Sequence, residues 1–119
     1  METWIVTGGA GFIGSNFVHR ALAGGGRRVV VLDKLTYAGH RESLAAAAGS
    51  PRFRFVEGDI ADRQLVRRLF AEERPAALVN FAAESHVDRS IEGPGTFVAT
   101  NVVGVFELLE AARHHLASL

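Results

Sequence analysis

The sequence lacks cysteine, and its 119 residues include only one lysine, one tyrosine and one tryptophan. The absence of cysteine excludes disulfides, thiolate metal sites and cysteine nucleophiles, and it is compatible with a reducing compartment. No apolar run approaches the length of a membrane span, and the first residues enter a predicted strand instead of a signal peptide. We therefore expect a soluble, globular chain located in the cytoplasm.

Net charge is also lacking, since thirteen acidic side chains balance thirteen basic ones. This balance implies no general attraction to nucleic acid or to a membrane surface. The five histidines are scattered without the spacing of metal ligands, so we predict no metal site. A length of 119 residues with 48% hydrophobic content predicts a single domain, covering residues 1–119, with one buried core.

Apolar runs alternate with helical patterns along the whole chain, which predicts successive βαβ units and a parallel sheet with helices on both faces. We predict strands at 4–7, 29–32, 53–56 and 77–81, in the order 3-2-1-4. Helices are predicted at 11–23, 41–48 and 63–74, followed by a long helix from Pro94 almost to the end of the chain. The apolar side chains expected on the buried face of this last helix are Phe97, Val98, Val102, Val105, Phe106, Leu109 and Ala112.

A glycine-rich turn lies between the first predicted strand and the first predicted helix. It matches two overlapping patterns, Gly9-x-Gly11-x-x-Gly14 and Gly8-x-x-Gly11-x-x-Gly14. Glycine permits a tight turn, a close approach of backbone to a pyrophosphate, and close packing of the helix on the strand. The helix amides and the helix dipole then favour phosphate. The motif follows a strand, opens a helix and precedes an acid at the end of the next strand, so we predict a Rossmann-like, doubly wound, dinucleotide-binding fold.

Acidic residues at the ends of the second and third strands are candidates for the adenosine end of the cofactor. Asp33 would accept hydrogen bonds from ribose hydroxyls and repel a 2′-phosphate, which favours NAD over NADP, although Lys34 weakens that preference. The rest of the segment 33–39 either surrounds the adenosine or is an ordinary surface loop. Asp59 could accept from the adenine amino group while Ile60 packs on the base; alternatively, Asp59 shapes a turn.

A second polar stretch, residues 80–90, leaves the fourth strand beside the switch point of the sheet, where ligands lie in such folds. Small residues here would let a cofactor pass close to the backbone, and the polar side chains after them either line the site or form an internal network that fixes the loop. A Ser/His/Asp nucleophilic site is disfavoured, because neighbours on one loop rarely converge in triad geometry. Thr100 and Asn101 either hold this loop and the nicotinamide end or lie on a solvated helix face.

The segments 7–14, 33–39, 59–60, 82–90 and 100–104 together closely resemble the amino-terminal part of the dTDP-glucose 4,6-dehydratases, a family within the extended short-chain dehydrogenase/reductases. The strings DKLTYAG and AAESHVDRS are more specific than the glycine pattern. The resemblance implies tightly held NAD, a nucleotide-sugar substrate such as dTDP-glucose, and a homodimer. In such enzymes hydride leaves C4 of the glucose for NAD+, water is eliminated across C5 and C6, and hydride returns to C6, as deoxysugar and rhamnose biosynthesis requires.

Residue by residue, the resemblance implies a set of cofactor contacts that adds to the motif glycines. The predicted cofactor-binding residues are Gly8, Gly11, Phe12, Ile13, Gly14, Asp33, Lys34, Leu35, Thr36, Asp59, Ile60, Phe81, Ala82, Ala83, Glu84, Ser85 and Thr100. Ser85 is also expected to reach the substrate. Asn80-Phe81 departs from the His-Leu of many family members but keeps an apolar residue beside the cofactor.

The resemblance implies that the family's Tyr-x-x-x-Lys pair and its Thr-Asp-Glu segment lie beyond the region that Leu119 ends. Tyr37 and Lys34, the only tyrosine and lysine, do not supply the pair, because their order and spacing are wrong. Without a base for the C4 hydroxyl and an acid for the departing hydroxyl, the chemistry has no agents. We therefore predict no catalytic residue, and a truncated form that lacks the later strands and the carboxyl-terminal lobe. Three alternatives remain: a stand-alone NAD-binding or redox-sensing module, a related UDP-sugar epimerase or dehydratase, and a remnant that assembles through an exposed sheet edge.

Overall fold

The computed structural model describes residues 1–35, 40–82, 95 and 98–119. Four parallel strands form one sheet in the order β3-β2-β1-β4, which confirms the predicted topology. The strands are β1 (Glu2–Thr7), β2 (Arg27–Asp33), β3 (Phe53–Glu57) and β4 (Ala77–Asn80). Each agrees with its predicted range to within two residues at either end. Because all four are parallel, their carboxyl ends share one edge of the sheet.

The helices lie between the strands and after the last one. They are α1 (Phe12–Ala23), α2 (Arg63–Glu73) and α3 (Val105–Ala117), with a π-helical turn at Ala99–Gly104 leading directly into α3. The helix predicted at 41–48 is wrong in extent: only a 3₁₀ turn forms, at Arg41–Leu44, and separate turns continue to Ser50. In the described part of the chain, no helix is both long enough and apolar enough to span a bilayer.

The two central strands are buried on both faces, as continuous apolar runs predict. Val6, Val29 and Val31 pack under α1 and the 3₁₀ turn. Their neighbours Ile5 and Val30 face the opposite way and pack against α2 and α3. This alternation follows from the two-residue period of a strand. The result is a three-layer unit whose helices begin at the carboxyl edge of the sheet.

Helix α2 begins and ends as its sequence predicts. The Asp62 side chain accepts a hydrogen bond from Leu65 N at 3.2 Å and so caps the first turn. Val66, Leu69 and Phe70 are buried in the core. The helix ends at Glu73 with Arg74 as its C-cap, directly before Pro75, as the restriction on a residue preceding proline favours.

The buried face predicted for the last helix is wrong. Val98, Val102, Phe106 and Leu109 are exposed, Val105 and Ala112 are half-buried, and Phe97 lies outside the described residues. The buried face instead carries Thr100, Gly104, Glu107, Leu108 and Ala111.

Close packing explains this choice of face. A Cβ at Gly104 would overlap the Ile60 side chain, so the absence of a side chain lets the helix approach the sheet. Glu107 is only 4% exposed and its carboxylate accepts from Arg63 Nε at 2.8 Å, which offsets part of the cost of burying it. The larger apolar side chains are therefore left on the outer surface.

Two arginines of the sheet hold the carboxylate of Glu73 at the end of α2. Arg28 of β2 donates to both carboxylate oxygens at 3.1 Å, and Arg54 of β3 donates at 3.2 Å. The hydrogen bonds from Arg28, followed by those from Arg54, hold the pKa of Glu73 below its ordinary value although burial opposes them. This network ties α2 to two strands.

We expect Leu108→Ala to lower the free energy of unfolding by about 2–5 kcal/mol, because it opens a cavity in the core. Leu109→Ala, on the exposed face, should cost less than about 0.5 kcal/mol. Urea unfolding at a protein concentration where the midpoint is concentration-independent measures both. Equal costs for the two variants would contradict the observed orientation of α3.

Protonation of Glu73 should destabilise the fold in acid. Because its folded-state pKa lies below the unfolded value, its contribution is present above the unfolded pKa of about 4.3 and is lost as the pH falls through the folded pKa. Glu73→Gln should therefore cost about 1–3 kcal/mol at pH 7 and much less at pH 3, as measured by urea unfolding. Glu72→Gln, whose carboxylate is 45% exposed, is the matched control and should change little at either pH. A cost for Glu73→Gln that does not depend on pH would contradict this role.

Candidate functional site

The turn between β1 and α1 lies directly against the chain that leaves β4. Gly8 has a φ of +69°, and a Cβ there would lie 2.6 Å from both Ala82 N and the carbonyl carbon of Phe81. Its own amide donates to Leu32 O at 2.9 Å. Only glycine combines this conformation with such close backbone contact. The site is therefore assembled from the carboxyl ends of β1, β2 and β4.

The next glycines bring α1 close to the sheet. A Cβ at Gly9 would lie 2.8 Å from Val31 Cγ1, and one at Gly14 would overlap the carbonyl oxygen of Gly8. Close packing therefore requires glycine at Gly9 and Gly14, independently of any ligand. The same packing places the first turn of α1 at the carboxyl edge of the sheet.

The amino terminus of α1 is open to a ligand. Gly11 is the N-cap and Ser15 N donates to its carbonyl oxygen at 2.8 Å, so the amides of Phe12, Ile13 and Gly14 have no acceptor within the helix. No side chain of the described residues caps this end, and the first turn has no acidic residue. Phe12 and Ile13 are 84% and 68% exposed. Free amides and the positive end of a helix dipole are groups that favour an anion.

Asp33 fixes the shape of the site from the end of β2. Its Oδ2 accepts from Ala10 N at 2.9 Å in the glycine-rich turn, and its Oδ1 accepts from Leu35 N at 2.7 Å. The residue is 9% exposed. Because each carboxylate oxygen has two acceptor positions, the described residues leave one position on each oxygen for a ligand hydroxyl. Leu35 itself has a φ of +58° and packs against the core on the α1 side.

Asp59 shapes a turn and also pairs with a lysine. The turn role considered from the sequence is therefore present, and it is compatible with the predicted contact of Asp59 with the adenine amino group. Its Oδ1 accepts from Ala61 N at 2.9 Å, and its Oδ2 lies 3.4 Å from Lys34 Nζ. The lysine that was expected to weaken the negative charge of Asp33 is therefore directed at Asp59. Both side chains remain more than a third exposed and accessible to a ligand.

The expectation that the Ile60 side chain packs on the adenine is wrong. This side chain is 4% exposed and lies in the core against Gly104. An apolar residue directly after a strand can point either outward or into the core, and the missing Cβ at Gly104 provides the space below. Only the backbone of Ile60 is left to serve the predicted site.

The exit from β4 is fixed by polar contacts. The Thr7 hydroxyl, fully buried, donates to Asn80 Oδ1, which also accepts from Ala82 N at 3.0 Å. Phe81 N donates to Thr7 O at 2.8 Å, and the Phe81 ring packs on Phe17 with centroids 5.4 Å apart. The Phe81 side chain thus belongs to the α1 layer, and its backbone lies on the Gly8 turn.

The Thr7–Asn80 pair is a feature that the sequence analysis missed. The signal was available, because both are polar residues at the carboxyl ends of strands that the predicted order makes neighbours. Thr100, a predicted site residue, is buried in the π-helical turn, which excludes the solvated-face alternative for it.

Several predicted residues lie outside the described part of the chain: Thr36, Ala83, Glu84 and Ser85, with Tyr37, His86, Asp88 and Arg89 of the same two segments. Among the residues that the structure does describe, no group of three or more histidine, cysteine, aspartate or glutamate side chains could hold a metal ion. What the described residues bring to one edge is a turn against β4, a free helix amino terminus and a buried carboxylate. That combination can hold an anion beside a polyhydroxyl group.

Comparisons with known proteins agree with this arrangement. The family model described as GDP-mannose 4,6 dehydratase matches residues 5–118. A dTDP-glucose 4,6-dehydratase of Xanthomonas campestris pv. campestris is 60% identical over 119 residues, covering 100% of this chain and 34% of the relative. The chain therefore spans about a third of the length of the curated relatives that it matches.

Solved structures give the same result. DesIV, a dTDP-glucose 4,6-dehydratase from Streptomyces venezuelae solved with NAD bound, superposes with a TM-score of 0.85 and 52% identity over 92% of this chain and 35% of that one. UDP-glucose 4-epimerase of Thermus thermophilus, in complex with NAD, gives a TM-score of 0.82 and 39% identity over 95% of this chain and 34% of that one. These findings confirm the resemblance stated from the sequence motifs, and the chain belongs to the family described as GDP-mannose 4,6 dehydratase.

Proposed function

We propose that this chain is the NAD-binding portion of a dTDP-glucose 4,6-dehydratase. The observation that carries the proposal is the open amino terminus of α1, whose free amides stand beside the carboxylate of Asp33. An uncapped helix terminus attracts a pyrophosphate, and a buried carboxylate with acceptor positions to spare suits the adjacent ribose. The 60% identity to a dehydratase and the NAD in a structural neighbour support the same assignment.

The described residues fit NAD. A side chain at Gly8 or Gly14 would block the turn, so the space beside the helix amides depends on these glycines. The amides of Phe12 to Gly14 would hold the pyrophosphate, Asp33 the ribose hydroxyls, and Asp59 with the backbone of Ile60 the adenine. When bound, NAD+ supplies the hydride acceptor that such an enzyme needs at C4 of the sugar. The chain's own residues bind and orient the cofactor.

The nucleotide-sugar substrate belongs to the longer protein. We propose dTDP-glucose because the identity to the Xanthomonas dehydratase, 60%, exceeds the 39% to the UDP-glucose epimerase. The predicted contacts at Thr36 and at Ala83 to Ser85, including the substrate contact of Ser85, stay predictions. So do the catalytic and substrate lobe beyond this chain, the absence of a catalytic residue within it, and the location in the cytoplasm.

A second candidate is a stand-alone NAD-binding module. The described residues favour it on one point, since the glycine turn, the helix terminus and Asp33 are all complete within the chain. The two proposals share the cofactor site and differ in whether the protein that contains this chain is an enzyme. Adding dTDP-glucose and NAD+ to that protein and analysing the product by mass spectrometry separates them, because only a dehydratase yields a product lighter by one water.

We expect the chain to bind NADH saturably and to prefer it to NADPH by tenfold or more, because the negative charge of Asp33 opposes a 2′-phosphate. Asp33→Asn removes the charge and should bring the ratio of the two dissociation constants close to one. Fluorescence titration with both reduced cofactors measures this ratio. A change in the ratio reports charge, whereas a purely structural defect weakens both cofactors alike.

The matched control is Asp62→Asn, which alters a carboxylate that also accepts a backbone amide but lies at the start of α2. It should change stability little, because asparagine caps a helix about as well as aspartate, and it should leave the NADH/NADPH ratio unchanged. If Asp33→Asn preserves the wild-type ratio, Asp33 does not contact the ribose.

We also propose that the protein forms a homodimer, as the resemblance implies, through the exposed side of the π-helical turn and α3. Five apolar side chains recur there at spacings of three, four and seven residues: Val98, Val102, Phe106, Leu109 and Leu116. An apolar stripe of this kind on an outer helix marks a surface that another molecule covers. A second copy would bury the same stripe on both partners around a twofold axis.

Leu109→Asp should shift the chain from dimer to monomer in sedimentation velocity, because a carboxylate would be buried in the apolar interface. Gln64→Asp, an equally exposed change on α2, should leave the distribution unchanged. A wild-type chain that stays monomeric over the accessible concentration range would contradict self-association through this stripe.

A further inference from the structure

A cleft of about 260 Å³ lies between the carboxyl ends of α2 and α3. The ring nitrogen Nε2 of His115 lies 2.9 Å from Pro75 O, two residues before β4 begins, which places the cleft near the amino end of that strand. The glycine-rich turn lies at the carboxyl ends of the strands. The cleft is therefore at the opposite edge of the sheet from the proposed cofactor site.

The cleft has an apolar floor and a basic rim. Phe70 and Ala111 belong to the core and form part of the floor. The rim carries Arg67, Arg74 and His114. Among the described residues that line the cleft, none is acidic.

The two rim arginines have no ion-pair partner among the described residues. Five of the eleven described arginines lie within 4.0 Å of a carboxylate: Arg28, Arg54, Arg63, Arg68 and Arg113. Arg67 and Arg74 belong to the six that do not. The Nε of Arg67, like that of Arg27, is buried without a hydrogen-bond partner in the described part of the chain. A buried guanidinium N–H without an acceptor is costly unless a ligand supplies one.

Glu110 is the acidic residue whose charge acts on this rim, and it is already paired. Arg113 NH2 donates to its carboxylate at 2.8 Å, and this bond, with weaker effects from His114 and Arg67, lowers the pKa of Glu110. Glu110 thus stays ionised but does not line the cleft.

The conformation of Arg74 is the independent observation. It ends α2 with a φ of +45°, where glycine or asparagine is far less strained than a long side chain. The capping bond uses only its backbone, whose N–H donates to Phe70 O at 2.9 Å. The cap therefore does not require arginine, and Arg74 is also one of the residues that line the cleft.

We propose that the cleft binds a phosphate group through the guanidinium groups of Arg67 and Arg74. Guanidinium presents paired donors that match two oxygens of a phosphate. No carboxylate lines the cleft, and the nearby carboxylate of Glu110 is paired with Arg113. The ligand is inorganic phosphate or the phosphate of a small metabolite. The competing explanation is that basic groups here only neutralise the carboxyl ends of the helices. That explanation suits His114 in the last turn of α3 and Arg74 at the end of α2, but not Arg67, which lies in the middle of α2.

The test is a titration of the 15N-labelled chain with sodium phosphate at constant ionic strength, followed by NMR. We expect saturable shifts of the Arg67 side-chain Nε–H and of the backbone amides of Arg74 and His115. Shifts at Phe12 to Gly14 report the cofactor site separately. Repeating the titration with AMP distinguishes the two sources: tighter binding of AMP at the cleft indicates a nucleotide phosphate, and equal or weaker binding indicates phosphate alone.

Two variants and a control make the result decisive. Arg67→Gln and Arg74→Gly should each weaken phosphate binding at the cleft tenfold or more, and Arg74→Gly should also raise the melting temperature, since glycine relieves the strained φ. Arg20→Gln, an exposed arginine in the last turn of α1, should change neither. Shifts that do not saturate, or that sodium chloride reproduces, would overturn the proposal. Undiminished phosphate binding by Arg74→Gly would also overturn the proposal. So would a wild-type chain that shows no saturable shift, together with a lowered melting temperature of Arg74→Gly.

Discussion

The close contact between the Gly8 turn and the chain leaving β4 is the constraint on which the site depends. Any side chain at Gly8 would meet the backbone of Phe81 and Ala82, and any at Gly14 would meet the Gly8 carbonyl. Because there is room only for a hydrogen atom on these two Cα atoms, the start of α1 is fixed relative to the sheet. Its amides then face the same space as Asp33, whose carboxylate bonds to the turn itself. Packing and ligand geometry are thus set by the same atoms.

The described charges form two kinds of sites at the two edges of the sheet. At the carboxyl edge, Asp33 accepts from Ala10 N in the turn before α1, and Lys34 is paired with Asp59. At the opposite edge, Arg67 and Arg74 face a cleft without an acidic residue among its described lining. Positive and negative side chains are therefore separated locally although the net charge is zero. For this reason, composition argues against a general attraction to polyanions but does not exclude a local anion site.

The sequence was sufficient for the strand order, the cofactor motif and the cap of α2, because each depends on local signals: apolar runs, glycine spacing, and an aspartate before a helix. It was not sufficient for the last helix. Two faces of this helix could have been buried. The face with Gly104 and Leu108 is buried, because only a residue without a Cβ fits over Ile60, and the face with Val102 and Leu109 is exposed. That fit depends on a contact across more than forty residues, as does the burial of Glu107 against Arg63. Hydrophobic periodicity contains no such information.

We propose that the free amides at the start of α1 hold the pyrophosphate of the cofactor. Titration of the 15N-labelled chain with NAD+, followed through the amide chemical shifts, tests this. Phe12, Ile13 and Gly14 should shift most and saturate at one affinity together with Ala10 and Leu35, whose amides donate to Asp33. Saturable binding that leaves these five amides unmoved would show instead that the cofactor lies elsewhere on the fold.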